Sequence, residues 1–447
     1  MGLAGAGDRD VNRDMPTLRI NFFTPLPPAL TDVANNAVTV ATALSRIADL
    51  TLWTPREAPA PAIEGIAVRR FDAVSPPWAE INTADLNIYN LGNNAPFHRA
   101  IFDIARQAPG VVVLHDVNLQ AFFAPYSDRE GADRSFYIDA MRRSHGLPGI
   151  NAALALIDGR LGAETMVDEF PMTLAAMAGA LGVIVHNKIE ADALRAQTSV
   201  PVFHLPLAYA ARPTLCRAGR TQDGPSRLVV FGFLGANRRL ESTLTALAAL
   251  PPDDYRLDIY GPVAEPERIS GVIARLGLGA RVEMHGFVAF ETLTAALESA
   301  ELAINLRWPS VGEVSGSQLR IWDAGLPALV TRTGWYTSLS PDTVFFVEPD
   351  REIETITEHL RALRRDPIPF RLAGLRGREV LLAEHDPASY ARGVLDVAQL
   401  SPGLHARAQA HGLARTASAA LLGLGRRDGL AAGVPGVAAA ILDLMRI

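Results

Sequence analysis

The chain has a single cysteine, Cys216, in 447 residues. An internal disulfide and a cysteine-built metal cluster are therefore excluded. Cys216 sits in no recognisable motif and reads as incidental. Long apolar runs are missing too: none reaches the ~18 residues that a membrane-spanning helix needs. The opening MGLAGAGDRDVNRDM has no basic start followed by an apolar stretch, so it is not a secretory signal. Residues 1–15 read as a disordered leader, and Met15 is a candidate start. Positive charge is in deficit, with a net charge of −6, which disfavours non-specific nucleic-acid binding. A cytoplasmic protein is expected.

What is present is ordinary for a globular α/β protein: 49% hydrophobic and 20% charged residues, in a length that suits two domains. Leu18 to Phe23, Leu50 to Trp53, Ile66 to Val68, Leu86 to Tyr89, Val111 to Leu114, Gly182 to Val185 and Val202 to Leu205 read as strands. Helical patterns lie between them, such as Val33, Ala37, Val40, Ala41 and Leu44 behind a capping Asp32. Arg212 to Ser226 is polar and reads as a linker. A second series of strands follows: Leu228 to Phe231, Leu257 to Tyr260, Val282 to Met284, Leu302 to Asn305, Ala328 to Val330 and Val344 to Val347. Strands that alternate with helices predict parallel sheets covered on both faces.

In such sheets the ligand crevice lies at the carboxyl ends of the strands. Asn93-Asn94, His115-Asp116 and His186 all stand at such ends. A histidine after a strand is equally readable as structural. The aromatics Phe122, Phe123, Tyr126, Phe136 and Tyr137 predict either plain packing or a cover over the crevice. After Asp386-Pro387 the chain turns helical and rich in Ala and Leu, with Arg407, Arg415, Arg426 and Arg427. It predicts helices packed across a domain, or a basic face resting on a membrane surface.

The stretch 301–335 carries the chemistry. A short apolar strand leads into a loop with Arg307, Trp308, Pro309 and Glu313, then Ser315-Gly316-Ser317 opens a helix that Gly325 and Pro327 end. A helix start has unpaired N–H groups and positive dipole, which suit a phosphate. Gly316 lets a diphosphate come close to the backbone. Glu313 beside an anion site suits hydroxyls instead, such as those of a sugar. Phosphate with polyol suggests a sugar nucleotide; the plainer alternative is an ordinary βα unit with a capped helix.

Several phrases together resemble one family. They are Pro25-Leu-Pro-Pro28, Tyr89-Asn-Leu-Gly-Asn-Asn94 with His98, Pro109 to Asp116, Val185-His186-Asn187, and Asn305-Leu-Arg-Trp-Pro309 with Gly312 to Ser317. In this order they are similar to bacterial GT-B glycosyltransferases, of the large retaining group with sucrose synthase-like and polysaccharide mannosyl- and glucosyltransferases. The resemblance spans residues ~18 to ~400. It implies two Rossmann-like parallel-sheet domains facing a crevice, with C-terminal helices crossing back to the first. The domains would be 16–211 for the acceptor and 227–385 for the nucleotide sugar, joined by 212–226 and followed by crossing helices and tail over 386–447.

It implies a hexosyltransferase using a nucleotide diphosphate sugar, with a glycan or lipid-linked acceptor, in surface polysaccharide assembly. No cofactor or catalytic metal is implied; a helix start and basic side chains would neutralise the diphosphate. Contact with the inner membrane face is a further expectation. Glu313 matches the first carboxylate of the family's Glu-seven-Glu motif, and His115 the histidine near the donor sugar. Ser315, Gly316 and Ser317, together with Gly235, Arg238 and Arg239 of the Gly232-to-Arg239 loop, would hold the donor with Arg307 and Arg320. Asn93, Asn94, Asp116 and His186 would line the acceptor side.

Three departures stand out. Arg320 occupies the place of the second motif Glu, leaving the ribose contact unassigned. Thr31-Asp32-Val33 replaces a common Ser-Gly-Ile, and Gly334-Trp335-Tyr336-Thr337 leads to Ser338 where relatives often carry Glu. These leave room for altered donor choice or a weakly active enzyme, and the Arg320 change allows a non-catalytic binding module. An inverting transferase or epimerase on the same plan is a further alternative.

Overall fold

The computed structural model describes residues 17–127, 132–215 and 224–428. The first half builds a sheet of β1 (Arg19–Phe23), β2 (Asp49–Pro55), β3 (Ala67–Phe71), β4 (Leu86–Leu91), β5 (Val111–Leu114), β6 (Gly182–Val185) and β7 (Val202–His204). The second sheet comprises β8 (Ser226–Phe231), β9 (Tyr255–Tyr260), β10 (Val282–Gly286), β11 (Leu302–Ile304), β12 (Ala328–Thr331) and β13 (Phe345–Val347). The orders are β3-β2-β1-β4-β5-β6-β7 and β10-β9-β8-β11-β12-β13, with every pairing parallel.

Strand composition explains the layering. In β5, Val112 and Leu114 join the core on one face while Val111 and Val113 join the core on the other. In β8, Leu228 and Val230 face one way, Val229 and Phe231 the other. A strand buried on both faces must be apolar at every position, which is why these runs lack polar alternation. The strand positions follow the expected ones closely, with ends that differ by a few residues. Each sheet reverses its winding next to its first strand, between β1 and β4 and between β8 and β11. Crevices open at such reversals.

The chain crosses back as expected. Helix Pro387–Gln399 starts at Asp386, whose carboxylate accepts from the Ser389 N–H at 2.8 Å. It buries Tyr390, Ala391, Val394, Val397 and Ala398 in the first domain's core, against helix Asp32–Leu44. The two crossing strands of chain are bonded to each other: Tyr209 N–H donates to the His385 carbonyl at 2.8 Å, and His385 Nδ1 meets the Leu207 carbonyl at 2.7 Å.

Several local expectations change. Helix Asp32–Leu44 is capped by Thr31, not Asp32, because Thr31 is the extended residue whose hydroxyl reaches the Val33 N–H. The expected linker is anchored at both described ends. Arg212 pairs with the buried Asp323, and its carbonyl accepts from Arg378. Ser226 is already in β8. The aromatics Phe122, Phe123, Tyr126 and Tyr137 are buried in the first domain's core, so packing is their role. Residues 1–16, Cys216 and 429–447, and the side chains of Arg415, Arg426 and Arg427, lie outside the described residues. Among the described residues, no helix is long and apolar enough to cross a membrane.

Candidate functional site

The site forms at the carboxyl ends of β8 and β11, neighbours where the second sheet reverses. After β8 the chain turns at Gly232, with φ +111°, into a 3-10 turn over Ala236–Arg238. A Cβ on Gly232 would lie 3.5 Å from Ser317 Oγ, so the loop rests against the helix start. Arg238 is 5% exposed. Its Nη2 donates to the Phe231 carbonyl at 3.1 Å and to Asn305 Oδ1 at 2.9 Å. Its Nε and Nη1 have no hydrogen-bond partner among the described residues. Burial, with Arg307 nearby, lowers its pKa to about 10, so it remains charged at neutral pH. A buried cation without a carboxylate partner is costly, on the order of several kcal/mol. An anion bound there would offset that cost.

Asn305 organises the rest. Its Nδ2 faces Gln318 Oε1 and Tyr336 Oη, both at 3.0 Å, and Ser315 Oγ at 3.4 Å. Ser315 caps helix Gly316–Asp323 by accepting from the Gln318 N–H at 3.1 Å. The buried Gln318 Nε2 is also unpartnered among the described residues. Donors from Arg238, Gln318 and the helix start thus gather about one place.

Arg239 diverges from Arg238. Its backbone is left-handed, with φ +54°, which turns its guanidinium onto Glu352 at 2.9 Å. Gly235 precedes the 3-10 turn. Arg320 lies along its helix with its guanidinium 5.1 Å from the Phe290 ring centroid.

Glu313 is 8% exposed, and both of its carboxylate oxygens already have partners. One carboxylate oxygen accepts from Arg307. The other accepts from the Val311 N–H at 2.7 Å and Ser310 Oγ at 3.2 Å. Burial opposes the charge of Arg307, but Glu313, with Tyr336 and Asp116, together outweigh it and hold its pKa above the ordinary range. The unpartnered Arg307 Nε joins the gathering of free donors.

The first domain supplies the opposite wall. Asp116 accepts from the Asn93 N–H at 2.7 Å. Burial, then Glu313, pushes its pKa up to about 6. The His115 and His186 rings lie 5.0 Å apart, each with an unpartnered Nε2 among the described residues. Burial lowers both pKa values, to about 4 for His186 and well below the usual value for His115, so both are neutral at pH 7. His98 Nδ1 meets the Asn90 carbonyl at 3.0 Å, and its Nε2, like Asp116 Oδ2, lies beside Gly92. Asn94 is exposed at the start of helix Ala95–Ala105 and makes no side-chain cap bond.

Asn305, Gln318, Asp32 and Glu190 were not singled out as site residues from sequence. Asp32 Oδ2 lies 3.8 Å from the Cβ position of Gly316, putting a carboxylate beside the helix start. Asn305 was legible as the polar residue that ends an apolar strand; nothing local marks the other three.

No protein-family model matches the sequence, and no curated protein matches it. Solved structures do. Anabaena HepE in complex with UDP and glucose superposes with TM-score 0.58 at 14% identity, over 85% of this chain and 99% of that one. Sucrose-phosphate synthase from Thermosynechococcus elongatus gives TM-score 0.58 at 17% identity, over 87% and 99%. WaaG, a glycosyltransferase involved in lipopolysaccharide biosynthesis, gives 0.55 at 13% identity, over 85% and 99%. This likeness shows the fold: the chain has the GT-B architecture, two parallel-sheet Rossmann-like domains with helices that return to the first.

Proposed function

We propose that the protein is a glycosyltransferase that moves a hexose from a nucleoside diphosphate sugar to a glycan or lipid-linked acceptor with retention. A UDP-sugar is the first donor to try, since HepE, which shares the fold, is known in complex with UDP-glucose. The observation that carries the reading is Arg238: a buried guanidinium with two nitrogens, Nε and Nη1, unpartnered among the described residues, beside a capped helix start. Bonds from such a cation to phosphate oxygens are charge-assisted and strong.

Arg238 and the N–H groups at Gly316 and Ser317 would take up charge on the departing diphosphate, so the reaction proposed is metal-independent. Arg307 would add its free Nε. Glu313, fixed by Arg307 and the Val311 N–H, would accept from sugar hydroxyls and set the donor's orientation. His115 and His186 would meet the sugar as neutral rings, and Asn93, Asn94 and Asp116 would line the acceptor side. Arg320, the basic side chain on the same helix, is proposed as a further contact to the donor. Arg239 is assigned a supporting part, since its guanidinium is taken by Glu352. The setting proposed is surface polysaccharide assembly in the cytoplasm, at the inner face of the membrane.

An inverting transfer is the second reading, favoured by Asp116. A carboxyl with pKa about 6 on the acceptor side has the properties of a general base. The deciding experiment has two stages. A panel of UDP-, GDP-, ADP- and dTDP-sugars is screened for acceptor-dependent release of nucleotide; no release with any of them removes the transferase reading. The anomeric configuration of the product, read by NMR, then separates retention from inversion. Glu313→Gln is expected to lose turnover by roughly 10²-fold while nucleotide affinity holds. Unchanged turnover would take Glu313 out of the mechanism.

A further inference from the structure

The loop that carries Glu313 also joins the two domains. The Val311 carbonyl accepts two N–H groups of the first domain, from Val117 at 3.1 Å and Asn118 at 2.9 Å. The receiving side is held in place. Thr173 Oγ1 donates to the Val117 carbonyl at 2.6 Å. Asn93 Nδ2 donates to the Asn118 carbonyl at 2.7 Å. The next residue, Gly312, has φ +82°, and a Cβ there would stand 2.8 Å from Val117 Cβ and 3.2 Å from the Glu190 carboxyl. The contact is flush, with no room for a methyl group.

Val311 therefore serves two partners at once. Its carbonyl holds the first domain, and its N–H holds the Glu313 carboxylate. Only the φ and ψ of this one residue separate the two bonds. We propose that residues 310–313 are an interdomain latch that sets the Glu313 carboxylate in its working position only while Val311 is docked on Val117 and Asn118. Gly312 and Val117 are then positioning residues: they touch no substrate but decide where Glu313 points.

The charges fit a latch that can release. Docking brings Asp116 and Glu190 towards Glu313, and the burial of both, added to by Glu313, pushes their carboxyl pKa values up. That repulsion opposes closure, and Arg307 offsets it. Turnover is thereby tied to closure: the donor binds the second domain, and the sugar is aligned when the domains meet.

The latch rests on the reading of Glu313 as the carboxylate that faces the sugar. Glu313→Gln tests that reading by itself. The latch is tested with Gly312→Ala on the full chain, by hydrogen exchange and by turnover of UDP-glucose. The Val117 and Asn118 amides are expected to exchange at least tenfold faster than in the parent, with residues 111–114 unchanged. The kcat is expected to fall at least tenfold while the Kd for UDP stays within threefold. Should Gly312→Ala fail to fold, Val117→Phe presses on the same contact from the other domain and is held to the same expectations. Unchanged exchange at Val117 and Asn118 would overturn the docking. Faster exchange with unchanged kcat would overturn the positioning.

Discussion

Arg238 and Asp116 are two site residues whose surroundings suit their charge poorly. Arg238 keeps its charge in a buried place where, among the described residues, its guanidinium donates to the Phe231 carbonyl and the Asn305 amide oxygen alone. With phosphate present, each charge-assisted bond is worth about 1.5–3 kcal/mol. Arg238→Ala should therefore weaken UDP by about that much while uridine changes little, as calorimetry on both ligands would read. Equal losses would put the diphosphate elsewhere. Asp116 presents the opposite case, a carboxyl raised to about 6. A raised folded pKa means the native state holds a proton that the unfolded chain has released. Stability therefore falls as pH climbs from the unfolded carboxyl value to about 6, and stays lowered above it. Asp116→Asn cannot lose that proton. Relative to the parent, its Tm should rise between pH 4.5 and 7.5; a constant gap across that range would contradict the account.

At the scale of elements, two pieces of chain do more than cover a sheet. The helix start at Ser315 is usable because Asn305, at the end of β11, aligns Ser315, Gln318 and Arg238 at once. The helix Pro387–Gln399 follows the second domain in sequence yet completes the core of the first. Tyr390 is 6% exposed there, with its ring 5.8 Å from that of His186. Tyr390→Ala should cost about 3–5 kcal/mol, as for other large aromatics cut to alanine. The loss should appear as faster hydrogen exchange in helix Asp32–Leu44, more than 340 residues away in sequence. Faster exchange confined to the second domain would mean that the crossing helix stabilises the wrong partner for this account.

For the whole molecule, the question is how two sheets make one site. The free donors belong to the second domain and the neutral histidines to the first, so neither half is complete. The domains meet through the Val311 loop and through the paired crossings at Tyr209 and His385. The crossings fasten one side, so opening has to hinge there. A ligand bound only by the native state should stabilise it by about 2.7 kcal/mol at a hundredfold excess over its Kd. UDP is expected to raise the Tm accordingly, and uridine at the same concentration to raise it less. A Tm that does not respond to UDP would argue against a uridine nucleotide as the donor's leaving group.

The sequence by itself determined the strands, their parallel arrangement and the helix start at Ser315. These depend on short-range rules: an apolar run such as Val111–Leu114 must be buried on both faces, and a Ser-Gly-Ser before an apolar period opens a helix. It also marked Glu313, His115 and Arg238 as site residues, by resemblance and by their place at strand ends. What it could not carry is pairing across distance. Arg238 and Arg239 are adjacent and chemically identical, and only the left-handed backbone at Arg239 sends one to Glu352 and leaves the other at the helix start. Glu313 reads as a carboxylate without a fixed partner until Arg307 is seen folded back onto it. Gly312 is one glycine among many until Val117 and Glu190, over a hundred residues earlier, close on it. Each of these was decided by segments meeting in space, where burial and the need to satisfy every polar group choose among partners that the local pattern leaves equal.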